Sequence, residues 1–191
     1  MACPITVSKF VGTVSLGLLT GVSYATAAVT LPALQLLPTS VDASHCLKEV
    51  KRLNRKHVFQ LTALANTSLL FAYTLSSPRR KHPFILWMSG LSALSSVGLD
   101  FFFNRHLGFQ VWIDGVCFDT TGMHLLKAPT SSKKPSKKDE DVVVVDYEEL
   151  ANGESVQRAM KRETRLQRAR AWVAGLALSV GIVGLWGDRS L

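Results

Sequence analysis

The sequence lacks the residue patterns of metal and disulfide sites. Its three cysteines, Cys3, Cys46 and Cys117, are widely separated and include no CxxC pair. The five histidines form neither an HExxH nor an HxxxH arrangement, and no cysteine and histidine are spaced as in zinc sites. We therefore expect a reduced protein that holds no metal and no other cofactor.

Motifs of catalysis are missing as well. The sequence contains no nucleophile elbow, no P-loop and no glycine-rich dinucleotide loop. Half of the acidic residues cluster in one polar segment, 127–154, where nothing would hold them in fixed positions, and catalysis depends on preorganised groups. These absences predict that the protein is not an enzyme.

Charge is missing from four long stretches, although the chain carries 22 basic and 14 acidic residues and a net charge of +8. The uncharged stretches are 10–41, 58–77, 84–99 and 171–187. A soluble domain of the same composition would distribute its apolar residues in amphipathic stripes. The concentration of apolar residues in blocks indicates a membrane protein.

Helical geometry sets the predicted membrane spans, because about 20 residues are needed to cross a hydrocarbon core of about 30 Å. Pro32 disfavours helix in the residue before it, so the first span is expected at about 10–31. The second span is expected at 58–77, ending before Pro78.

The last two stretches are shorter. The third reaches a spanning length only if it covers 84–103, which includes Asp100. We expect this carboxylate near the interface, where it can contact water; a functional carboxylate inside the membrane is the alternative. The fourth span, 171–187, follows Arg168 and Arg170, whose long side chains can extend to the headgroups.

Small residues recur every four positions in the first span, at Thr13, Gly17, Gly21 and Ala25. Such a stripe lets another helix approach closely in lipid, where dispersion replaces the missing hydrophobic driving force. The pattern predicts a helix-packing face and a homo- or hetero-oligomer formed through it. The alternative is that glycine is simply common in membrane helices.

Residues 1–27 have some features of a cleaved signal peptide. Lys9 precedes an apolar run, and Ala25 and Ala27 flank Thr26 as in a cleavage site. The positive region is a single lysine, however, and the apolar run continues past Ala27. A retained span is the favoured interpretation.

The distribution of basic residues predicts the orientation. With four spans, seventeen basic residues lie on the side of the long connection and five on the side of the termini. By the positive-inside tendency, the connection 104–170 faces the cytosol. The basic amphipathic segment 44–57 lies on the same side, and we expect it either on anionic headgroups or as a solvated helical extension.

The connection 104–170 contains three kinds of sequence. Residues 108–122 alternate loosely around Asp114-Gly115, which predicts a β-hairpin. Residues 127–154 are rich in Pro, Ser, Lys and acids, which predicts disorder. Residues 154–170 predict a basic helix joined to the fourth span. Its six Lys and Arg residues are better explained by membrane lipid than by nucleic acid in a membrane-anchored chain.

One stretch within the predicted disordered segment resembles a partner-binding motif. Four valines precede Asp146, Tyr147 and Leu150, so an extended segment would present an aromatic and an aliphatic anchor beside acidic residues. This resembles the short motif that docks onto ubiquitin-like modifiers of the autophagy membrane. The alternative is an idle stretch of chance similarity.

Several segments resemble the fungal autophagy-related protein 33 family. The N-terminal span is similar in residues 7–21, VSKFVGTVSLGLLTG, and the entry to the third span is similar in residues 80–84, RKHPF. Gly181 and Gly184 in the last span also fit. The resemblance implies a small mitochondrial outer-membrane protein that promotes mitophagy, the selective autophagic removal of mitochondria.

We therefore expect an all-α membrane protein with about four transmembrane helices and a long, partly disordered loop before the last span. Region 1–103 would hold three spans, and 171–187 the fourth. The expected function is that of a non-enzymatic mitophagy factor in the mitochondrial outer membrane. A structural or assembly subunit of an organelle membrane complex, with the endoplasmic reticulum as the alternative location, is the second hypothesis.

Overall fold

A computed structural model describes residues 4–76, 83–105, 108–121 and 153–187. Its helices are α1 (Pro4–Leu34), α2 (Ser40–Leu75), α3 (Phe84–Asn104), α4 (Phe109–Thr121) and α5 (Gly153–Gly187). No strand occurs among the described residues. Four helices, α1, α2, α3 and α5, are long and apolar enough to cross a membrane, which confirms the predicted all-α membrane protein.

The four long helices form a bundle around an apolar core. The core comprises buried side chains from all four of them: Leu16, Leu19, Val58, Ala65, Leu69, Ile85, Met88, Ala174 and Ala177. Large apolar side chains on the outside, such as Phe10, Trp87 and Val183, remain exposed. An apolar exterior around an apolar core is what a bundle surrounded by lipid requires.

Glycines allow α5 to pack closely on α3. A Cβ placed on Gly184 would lie 2.4 Å from the ring of Phe84, and one on Gly181 would lie 2.3 Å from Met88 Cε. Both distances are far below van der Waals contact, so these positions accept only glycine without movement of the neighbour. Small residues permit this close approach of membrane helices.

Helix α1 continues past the residue at which the sequence predicts its end. Pro32 has no N–H to donate and its ring clashes with the preceding turn. A π-helical turn at Thr26–Thr30 precedes Pro32 and accommodates its ring and its missing N–H donor, so the helix reaches Leu34.

A second apolar cluster lies beyond the bundle core, where the end of α1 meets the starts of α2 and α5. It consists of Leu31, Leu34, Ala43, Leu47, Val156 and Met160. Leu47 of the basic segment 44–57 lies in this cluster and Val50 packs against it, whereas Leu53 is 45% exposed. The segment continues α2 as a helical extension of the second span, which is one of the two arrangements expected from the sequence, and its contact with anionic headgroups stays a prediction.

The hairpin predicted for residues 108–122 is wrong, because the chain forms helix α4 there. Phe109, Trp112, Ile113 and Val116 have the spacing of one helical face, and this period overrides the local turn signal of Asp114-Gly115. Gly108, with φ of 82°, provides the left-handed turn that separates α3 from α4.

Helix α5 joins the basic segment 154–170 and the fourth uncharged stretch without interruption, in agreement with the expectation from the sequence. The predicted partner-binding residues Asp146, Tyr147 and Leu150 lie outside the described residues. Most of the predicted disordered segment 127–154 also lies outside them.

Candidate functional site

Charged side chains from α2, α3 and α5 meet at one end of the membrane bundle. Arg55 lies three residues before the second uncharged stretch, Asp100 directly follows the third and Arg170 directly precedes the fourth. Because neighbouring spans run in opposite directions, these three boundaries lie at the same level. We call this group, together with the polar residues in contact with it, the charge layer.

Asp100 is at the centre of the charge layer and is only 2% exposed. Its Oδ1 lies 3.5 Å from Arg170 Nη2, and its Oδ2 lies 3.5 Å from Arg55 Nη2. Trp112 of α4 donates a hydrogen bond of 2.8 Å from Nε1 to the same Oδ2. One carboxylate therefore links four helices.

Arg170 is 1% exposed and depends on partners from two helices. Its Nε donates to the Ser95 carbonyl oxygen at 3.1 Å, and its Nη1 donates to Gln167 Oε1 at 3.4 Å. Ser95 lies in a π-helical turn of α3, Leu94–Gly98. Such a turn alters the regular backbone pairing of the helix, so that a carbonyl can accept from a side chain.

Two further ion pairs extend the charge layer. Arg55 Nη1 lies 2.8 Å from Asp119 Oδ2 of α4, and Lys51 Nζ lies 3.8 Å from Glu163 Oε2 of α5. Glu163 also accepts a hydrogen bond of 2.8 Å from Gln167 Nε2. Three cations thus face three carboxylates, and the formal charges of the layer cancel.

This arrangement is suited to holding helices in register. A buried charge is tolerated when it is paired and its remaining polar atoms are hydrogen-bonded, and both conditions hold for Asp100 and Arg170. Among the described residues, no group of three or more His, Cys, Asp or Glu side chains is placed to bind a metal ion. The charge layer therefore has the features of a structural lock between α2, α3, α4 and α5.

The expected environments of Asp100 and Arg170 are corrected by this geometry. The sequence predicts Asp100 near water and the Arg170 side chain extended to the headgroups, whereas both side chains are buried in the bundle and form a pair. Arg168 is exposed, as expected. The Asp100–Arg170 pair has a signal in the sequence. The two residues carry opposite charges and flank uncharged stretches whose ends lie on the same side of the bundle.

The predicted packing stripe lies away from the core. Thr13 and Gly17 are partly buried, Gly21 and Ala25 are exposed, and a Cβ on either glycine would meet nothing within 4 Å. The face of α1 that packs within the chain includes Gly12, Leu16 and Leu19 instead. Contact of the stripe with a second chain stays a prediction.

Comparison with known proteins gives consistent matches along the whole chain. A family model described as Autophagy-related protein 33 matches residues 1–188. A curated protein of Gibberella zeae, Autophagy-related protein 33, is 34% identical over 197 residues, which cover 94% of this chain and 89% of that protein. No solved structure matches the chain.

Proposed function

The chain belongs to the autophagy-related protein 33 family, and from this membership we propose that it is a non-enzymatic mitophagy factor of the mitochondrial outer membrane. Membership itself supports an autophagy-related role. The single observation that carries the proposal is the family match over residues 1–188. Mitophagy and the outer membrane follow from the resemblance to this family.

The shape of the bundle supports an adaptor mechanism. From the charge layer, α2 extends back to Ser40 and α5 back to Gly153, which corresponds to about 22 and 26 Å of helix. The segment that joins α4 to α5 begins and ends on this side of the bundle. The spans would fix the location, and this segment would recruit autophagy components from the cytosol.

Mitochondrial turnover tests the proposed role. A deletion strain that carries a fluorescent reporter in the mitochondrial matrix is compared with the wild type under starvation and in long culture. We expect reporter delivery to the degradative compartment to fall in the deletion strain and to recover with the full chain. Unchanged delivery of mitochondria would refute the role.

Location is tested separately, because mitochondrial and endoplasmic reticulum membranes are the two alternatives. A tagged full-length chain is imaged against markers of both organelles. Overlap with the mitochondrial outer-membrane marker supports the proposal. Overlap with the reticulum marker alone contradicts the location while leaving an autophagy-related role open.

The partner site is proposed at Tyr147 and Leu150, with Asp146 facing a basic rim. A peptide of residues 142–152 should bind a ubiquitin-like autophagy modifier, and Tyr147→Ala and Leu150→Ala should each weaken that binding. Calorimetry with the three peptides tests this. Equal binding by all three would remove the motif.

An assembly subunit of a larger membrane complex is the second candidate function, and the outward position of the Gly17 and Gly21 face favours it. The double variant Gly17→Ile, Gly21→Ile should then reduce the size of the complex on a native gel while membrane insertion continues. A complex of unchanged size would argue against this candidate.

A further inference from the structure

A groove on the outside of the bundle runs between α1 and α5. It has a volume of about 680 Å³, which lies within the range of about 300–1,000 Å³ that is usual for small-molecule sites. Its α1 wall includes Thr20, Tyr24 and Ala28, and its α5 wall includes Arg168, Trp172 and Ser179. The groove is independent of the charge layer and of the residues 142–152 discussed above.

The floor of the groove is apolar although it contains hydroxyl groups. Thr20 donates its hydroxyl to the Leu16 carbonyl oxygen at 2.9 Å, and Ser179 donates to the Gly175 carbonyl oxygen at 2.9 Å. Both hydroxyls are satisfied within their own helices. Methyl and methylene groups therefore face the groove, and Gly175 adds no side chain to fill it.

The length of the groove matches one leaflet of a bilayer. From Arg168 to Ser179, α5 rises about 16 Å. Half of a hydrocarbon core is about 15 Å. With Arg168 at the headgroup level, just before the uncharged stretch 171–187, the groove extends to the middle of that stretch, which is the space that one acyl chain would occupy.

The upper end of the groove is cationic and amphipathic. Arg168 is exposed and pairs with no carboxylate among the described residues. Tyr24 and Trp172 are 67% and 76% exposed at the same level, and such side chains favour the membrane interface. A guanidinium group recognises phosphate oxygens through charge-assisted hydrogen bonds.

From this combination we propose that the groove binds one anionic phospholipid of the leaflet on the α4 side. Arg168 contacts the phosphate, and one acyl chain lies between α1 and α5 along Gly175. The charge complementarity at the upper end and the one-leaflet depth distinguish a lipid from a partner helix, which would need to continue along the bundle.

Photolabelling tests the site. The full chain is placed in phosphatidylcholine nanodiscs that contain a small fraction of phosphatidylglycerol with a diazirine in its acyl chain. We expect adducts to concentrate on residues 20–28 of α1 and 171–179 of α5. Arg168→Gln should lower labelling about tenfold at limiting probe, since a charged hydrogen bond is lost.

Ala28→Phe should block the groove and remove most of this labelling. The matched controls are Arg165→Gln on the same helix and Val29→Phe at the same depth; both positions are exposed and outside the groove, so labelling should be unchanged. Circular dichroism verifies that each variant is folded.

Three results would overturn the proposal. Adducts spread evenly over the exposed faces, or equal labelling of all four variants, would show that the groove holds no specific lipid. If a second chain occupies the groove instead, no adducts should form in the groove. The Ala28→Phe variant should then run as a smaller complex than the wild type on a native gel.

Discussion

Asp100 and Arg170 can both be buried because each provides the counter-charge of the other. The effective cost of transferring one ion from water to a protein interior is several kcal/mol, and attraction offsets this only with good geometry and additional hydrogen bonds. Asp100 has those bonds from Trp112, and Arg170 has them with Ser95 and Gln167. The pair therefore depends on all of its neighbours being in place.

Removal of the Asp100 charge should be strongly destabilising. Asp100→Asn keeps the shape but leaves Arg170 buried without its counter-charge, so we expect a loss of about 3–5 kcal/mol. Thermal unfolding in detergent measures the effect. Glu49→Gln is the control, because its pair with Arg52 is exposed and such pairs contribute about 0–1 kcal/mol.

The double variant Asp100→Asn, Arg170→Gln sharpens this experiment. It removes both buried charges, so part of the lost stability should return relative to Asp100→Asn alone. A double variant less stable than Asp100→Asn, or an Asp100→Asn effect as small as that of Glu49→Gln, would show that the two groups do not compensate each other.

Substitution by alanine should change the free energy of unfolding differently at two glycines that look alike in the sequence, Gly184 and Gly21. Gly184→Ala forces a Cβ into the stiff ring of Phe84, so we expect a loss of about 1–3 kcal/mol from overpacking. Gly21→Ala meets open space and should be neutral or stabilising by up to about 1 kcal/mol, since alanine favours helix. Unfolding midpoints of both variants decide this. A comparable loss for both would indicate that the Gly21 face is covered.

At the scale of elements, helix α4 is held to the bundle by polar and aromatic contacts. Its Trp112 donates to Asp100, its Asp119 pairs with Arg55, and Phe101 packs edge-on against Phe109 and Trp112. These contacts join the chain after the third span to the charge layer. The first part of the connection is therefore attached to the bundle.

Trp112→Phe should loosen α4 while the four long helices stay intact. An aromatic ring remains, although a smaller one, and the hydrogen bond to a buried carboxylate is lost, which is worth about 1–3 kcal/mol. Hydrogen exchange of residues 109–121 should accelerate, with no comparable change in the core of α1. Trp186→Phe, at a position 80% exposed, is the control. Equal exchange in Trp112→Phe and the wild type would contradict this docking.

How well a helix can be predicted from the sequence differs between α4 and α5 for physical reasons. Helix α5 was predictable because a helix-favouring basic segment runs directly into an apolar stretch. Helix α4 is hard to predict because the local turn signal of Asp114-Gly115 competes with the helical period of its apolar residues. The hydrogen bond from Trp112 to Asp100, which helps to dock α4, joins residues that local sequence patterns do not relate.

At the scale of the whole molecule, the absence of charge from four stretches was sufficient to predict four spanning helices. The charge layer was harder to predict, because it requires knowing that the ends at Arg55, Asp100 and Arg170 adjoin. The packing stripe at Gly17 and Gly21 was assigned from periodicity alone. Periodicity identifies a face but does not say whether that face meets the same chain, another chain or lipid.

The proposed function requires four helices that anchor the chain in the membrane and a connection from α4 to α5 that faces the cytosol. Protease protection on intact mitochondria, with an epitope inserted within residues 127–139, tests this most directly. The account predicts loss of the epitope before the outer membrane is opened, while an intermembrane-space marker stays protected, and a chain that resists carbonate extraction. Loss of the epitope only after the outer membrane is opened, or release of the chain by carbonate, would contradict it.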